Sequence, residues 1–102
     1  MIENVSKALI NKAARLSALD RKDETLAVCD TIVVRYGDAP EPFLQERVAM
    51  ALFNKGAILR KLGREADAVA AFDQVIAGYS ECPDPGTRAM VAKAIDAKQR
   101  PA

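Results

Sequence analysis

Displaced by 43 residues, the chain lies on itself without a gap. ALINKAARLSALDRKDETLAVCDTIVVRYGDAPEP falls over ALFNKGAILRKLGREADAVAAFDQVIAGYSECPDP. Ala8/Ala51, Leu9/Leu52, Asn11/Asn54, Lys12/Lys55, Leu16/Leu59, Leu19/Leu62, Asp30/Asp73, Tyr36/Tyr79, Pro40/Pro83 and Pro42/Pro85 are identical pairs. The register then carries Val48-Ala49 over Val91-Ala92 and Ala51 over Ala94, into a third, unfinished copy. A period of this length is the mark of a stacked-helix array, in which each unit buries its apolar face on its neighbours.

Within one period the pattern is helical. Ala68, Val69, Phe72, Val75, Ile76 and Tyr79 fall on one face of a 3.6-residue helix. Leu52, Gly56, Leu59 and Leu62 fall on one face of the preceding segment, and the two segments break at Leu62-Gly63-Arg64. Glycine inside a helix costs about 0.8–1 kcal/mol relative to alanine. Gly56 therefore points to close approach of another helix, the one that follows Gly63. Two antiparallel helices joined by a tight turn make one hairpin unit.

Five helices are predicted. The first runs over about Ile2–Leu19 with Val5, Leu9, Leu16 and Leu19 inward. Asp20, with Asp23 three residues on, is expected to cap the second helix. That helix carries Leu26, Cys29, Ile32 and Val33 to Tyr36, where Gly37 offers a left-handed stop. Pro42 suits the first turn of a third helix reaching Leu62, and Glu65–Tyr79 forms the fourth. Pro85 starts a fifth through Met90, Val91, Ala94 and Ile95, its outer face softened by Lys93, Asp96 and Lys98 as a terminal cap. The expected layout is one domain over 1–102: a degenerate first repeat at 5–47, a second at 48–90, the start of a third at 91–98 and a frayed tail at 99–102.

Ala51–Tyr79 resembles a tetratricopeptide repeat, a helix–turn–helix unit used in protein–protein binding. The resemblance rests on Leu52, Gly56, Leu59, Leu62-Gly63, Ala68 and Phe72. In the first copy Ala13, Asp20, Thr25 and Cys29 stand in place of Gly56, Gly63, Ala68 and Phe72. Lys55 replaces a usual leucine, Glu65 replaces a common aromatic, and the period exceeds the family's usual length of about 34 residues. HEAT-type and armadillo-type repeats have a similar period and are the competing reading.

The resemblance implies an all-α superhelix whose first helices line a concave groove for a peptide or protein segment. Its groove positions fall on Lys7, Ile10, Asn11, Ala14 and Ser17 in the first copy. They fall on Met50, Phe53, Asn54, Ala57, Arg60 and Lys61 in the second, and on Lys93 in the third. Asn54 with Lys93 partly resembles the clamp that some members use for a C-terminal carboxylate, although Ala97 stands where a second basic residue would be. The alternative function is a structural or oligomerisation module that self-associates through the open end of the array.

Composition restricts other readings. The sequence contains no histidine, the commonest general base and metal ligand. Acids at Asp20, Asp23 and Glu24 read as helix-start and surface residues, and no glycine-rich phosphate loop is present. No catalysis, metal or cofactor is expected. Cys29 occupies the slot that Phe72 fills in the next copy and reads as a small core residue, while Cys82 lies in a loop. Basic residues gather at Lys7, Lys12, Arg15, Arg21 and Lys22, and again at Lys55, Arg60, Lys61 and Arg64. With a net charge of +1 and interspersed acids, they read as solvated helix faces, not as a nucleic-acid site. No stretch has the length and apolarity of a membrane span, and the first twenty residues lack a signal-peptide profile, so a cytoplasmic address is expected.

Overall fold

The computed structural model describes residues 2–100, all-helical apart from short turns. The helices are α1 (Ile2–Ala18), α2 (Lys22–Tyr36), α3 (Pro42–Lys61), α4 (Glu65–Tyr79) and α5 (Pro85–Gln99). They form two full helix-hairpin repeats and one terminal helix. Of the expected tail, Gln99 closes α5, Arg100 donates its backbone N–H to the Ala97 carbonyl, and 101–102 lie outside the described residues.

The repeat is visible in the turns. At the end of α1, Asp20 N–H donates to Ser17 O and Arg21 N–H to Leu16 O, both at 3.0 Å. At the end of α3, Gly63 N–H donates to Arg60 O at 3.0 Å and Arg64 N–H to Leu59 O at 2.9 Å. These paired bonds define a Schellman ending, which requires a left-handed residue at its centre. Gly63 supplies it with φ 79°, and Asp20, 43 residues earlier, with φ 59°. This corrects the capping role expected of Asp20. No side chain caps α2, and the Asp20 carboxylate turns to Lys22 instead. The next residue repeats too: Arg21 pairs with Glu24, and Arg64 with Asp67 at 2.7 Å.

Between units, Pro42 and Pro85 open α3 and α5, where a missing N–H costs nothing. Asp84 also caps α5 by accepting from Thr87 N–H at 3.0 Å. Gly37 is right-handed, with φ −57°, so α2 does not end in the left-handed stop expected of it. Its chain turns instead through Ala39 N–H donating to Tyr36 O, as Cys82 N–H donates to Tyr79 O in the next copy.

Helix packing follows one rule in both units. Each of α3 and α5 packs on the second helix of the preceding unit and on the preceding first helix. The first helices α1, α3 and α5 thus form one row, while α2 and α4 do not pack on each other. Cys29, Ile32, Leu44, Val48, Phe72 and Val75 are buried between them. Burial of each large apolar side chain stabilises by about 1.5–3 kcal/mol. Buried Thr25, standing where the next copy has Ala68, donates its hydroxyl to Arg21 O at 2.8 Å, so no polar group is stranded.

Gly56 is buried against the α4 ring of Phe72, the contact that the sequence implied. The same place in the first unit is built from Ala13 and Cys29. A buried methyl and a small thiol in one copy answer to a hydrogen and a phenyl ring in the other, an exchange that trades volume between the two facing positions.

Three expected inward residues point outward. Val5 is 44% exposed, Leu19 61% and Ile95 40%. Leu19 ends its helix at the Schellman turn, and its counterpart Leu62 is exposed for the same reason. Lys98 does not soften an outer face: it reaches Asp73 on α4 at 2.7 Å.

Candidate functional site

Of the two seams in the row of first helices, α1–α3 is packed less closely than α3–α5. At its α3 C-terminal end, Ala14 and Ser17 of α1 face Asn54, Ala57 and Lys61 of α3 across a cavity of about 450 Å³. Farther along, Lys7, Ile10 and Asn11 meet Met50, with Glu46 and Arg47, around a second cavity of about 230 Å³. Parallel alignment of two copies of one helix places equal positions side by side, and the small side chains of Ala14, Ser17 and Ala57 leave room between them.

Several expected groove residues are thereby brought together: Lys7, Ile10, Asn11 and Met50 in one cavity, Asn54 and Lys61 in the other. Phe53 is only half available, because its ring leans on Phe72 with centroids 5.6 Å apart. Lys93 is exposed on α5 and lines neither cavity, so Asn54 shares its cavity with Lys61 and not with Lys93.

Arg60 is consumed by the fold. Its Nε and Nη2 donate to the Glu65 carboxylate at 2.9 and 2.7 Å, and its Nη1 to Ala97 O at 2.8 Å and Arg100 O at 3.0 Å. The guanidinium also lies 5.2 Å from the centroid of Phe72. The hydrogen bonds from Arg60 hold the Glu65 carboxyl below its ordinary range, and Glu65 in turn raises the guanidinium. At the corresponding place in the first unit stands Ser17. Arg60 therefore plugs the α3–α5 seam, whereas Ser17 leaves α1–α3 open.

Other expected basic clusters are similarly divided. Lys55 pairs with Asp30 at 2.8 Å and Arg64 with Asp67 at 2.7 Å, so of the α3–α4 group only Lys61 has no ion pair among the described residues. Cys29 is fully buried, and that burial, with Asp30 nearby, pushes its thiol up to about 11. Among the described residues no cluster of histidine, cysteine, aspartate or glutamate could hold a metal ion, and no helix is long and apolar enough to cross a membrane.

Sequence reasoning missed Glu46 and Arg47, which line the second cavity. Arg47 is held by its Nη1 bond to Phe43 O at 3.1 Å and lies over the Phe43 ring, 5.8 Å from its centroid. Positions 46 and 47 lie a turn before the groove positions that the family resemblance names, so no motif marked them. No protein-family model, curated protein or solved structure matches this chain.

Proposed function

We propose that this chain is a tetratricopeptide-like binding module that holds a peptide or protein segment along the α1–α3 seam and catalyses no reaction. The observation that carries this reading is the convergence of Lys7, Asn11, Asn54 and Lys61, with Ile10 and Met50, on two neighbouring cavities between first helices. Asparagine amides can bond an extended backbone, lysines attract carboxylates, and Ile10 and Met50 provide apolar contact. Within this reading a terminal carboxylate is held by Asn54 and Lys61. Lack of histidine and a buried, weakly acidic Cys29 support a non-catalytic role. Two unpaired thiols suit a reducing, cytoplasmic setting.

The test is a peptide-library screen with free and amidated C-termini at low and moderate salt. Binders are expected, and Asn54→Ala should weaken them while leaving the melting temperature nearly unchanged. Hits indifferent to Asn54→Ala, Asn11→Ala and Lys61→Ala would place the ligand elsewhere and refute the seam.

A further inference from the structure

One stripe is written three times at intervals of 43 residues: Val5-x2-Ala8-x3-Lys12, Val48-x2-Ala51-x3-Lys55 and Val91-x2-Ala94-x3-Lys98. Two of the copies are covered. In α3, Val48 is 1% and Ala51 0% exposed, and Lys55 bonds Asp30 of α2 at 2.8 Å. In α5, Val91 and Ala94 are buried, and Lys98 bonds Asp73 of α4 at 2.7 Å. The covering helices repeat as well. Leu26, Asp30 and Val33 of α2 correspond to Val69, Asp73 and Ile76 of α4: an apolar residue, a carboxylate four on, and an apolar residue three further.

On α1 the same stripe stands open. Val5 is 44% exposed, Ala8 is exposed, and among the described residues Lys12 has no carboxylate within ion-pair reach.

We infer that this face of α1 docks an acidic amphipathic helix of another protein, carrying an apolar-x3-Asp/Glu-x2-apolar stripe. The two covered copies define the occupant's shape and the place of its carboxylate. Charge defines its sign. Arg15 stands where α3 has buried Ile58, and α1 carries Lys7, Lys12 and Arg15 against the single acid Glu3. A second copy packing α1 on α1 would set these like charges against each other, and its own α2 stripe is already used by α3. A polar end cap of the kind arrays need would account for Arg15. It would not account for Val5, Ala8 and Lys12 kept in register with two buried stripes.

The test titrates the isotope-labelled full chain with a peptide of residues 20–38 of this sequence, stapled through the exposed positions 27 and 31 to hold it helical. Amide shifts are read by NMR. Shifts should centre on Val5, Ala8, Lys12 and Arg15. Lys12→Glu should weaken binding by roughly tenfold, and an Asp30→Lys peptide should restore it to that variant. No shifts at millimolar peptide, shifts confined to the α1–α3 seam, or binding indifferent to the charge exchange would each overturn the inference. So would dilution-dependent shifts of the same residues without peptide, which would give the face to a second copy.

Discussion

Replacing Gly56 with alanine sets two effects of known sign against each other. Helix propensity alone favours the substitution by about 0.8–1 kcal/mol. Packing opposes it. A Cβ built on Gly56 would lie 2.5 Å from Cε1 and 2.8 Å from Cδ1 and Cζ of Phe72. Carbon atoms prefer separations of about 3.5–4.0 Å, so the ring must retreat by about 1 Å. Phe72 is 1% exposed, with Phe53 at 5.6 Å and Arg60 at 5.2 Å from its centroid, and has little free space to enter. Overpacking of a core site costs about 1–3 kcal/mol. The net expectation for Gly56→Ala is destabilisation of up to about 2 kcal/mol, with the melting temperature falling by roughly 4–8 °C per kcal/mol. Thermal and urea unfolding followed by circular dichroism measure it. The first unit provides the control for cause: Phe72→Cys reproduces its small partner and removes the ring. In that background Gly56→Ala should be neutral or stabilising, giving a coupling of about 1–3 kcal/mol. A rise in melting temperature from Gly56→Ala alone, or an additive cycle, would refute the close-contact argument.

Other perturbations probe the turns, the Arg60 plug and the core thiol. Gly63→Ala forces a left-handed alanine and should cost about 1–2 kcal/mol, whereas Asp20→Gly, relieving the same conformation in the first unit, should raise the melting temperature; equal effects at both turns would contradict their equivalence. The Glu65 carboxyl is depressed in the folded chain, so its contribution is present above the unfolded value near 4.5 and is lost as pH falls through the folded value. Accordingly Glu65→Gln should lower stability at neutral pH but flatten its loss as pH falls below the unfolded value, an outcome read from melting curves across pH. Arg60→Ala should release the end of α5, seen as faster amide hydrogen exchange at Ala97–Arg100 with little change in α2. Alkylation under native conditions should modify the half-buried Cys82 well before the buried Cys29, which should react only as the chain unfolds.

Much of the fold was legible because its causes are local. Pro42 and Pro85 mark helix starts through a missing N–H, and Gly63 marks a turn through its positive φ. Gly56 was informative because its cost demanded a compensating neighbour, and the neighbour is Phe72. Asp20 misled because the same residue type serves both as a cap and as a tolerated left-handed residue. Only the alignment with Gly63 separates the two. Leu19 and Ile95 misled because helical periodicity places a residue on a face without saying whether a neighbour reaches that far.

The candidate site was legible in part. The α1–α3 residues were found because two copies of one helix lie parallel, which brings Asn11, Met50 and Lys7 together. The assignment of cations was not legible. Arg60 and Lys61 are adjacent in the chain, yet Arg60 is drawn into Glu65 and the end of α5, while Lys61 remains on the cavity. Lys98 and Lys93 lie on one helix, yet among the described residues only Lys98 meets a carboxylate. Periodicity and turn chemistry act over a few residues and survive in any context, so the 43-residue repeat was enough to set five helices and their hairpins. Which side chains stay free depends on a helix arriving from about forty residues away, and that contact exists only in the packed array.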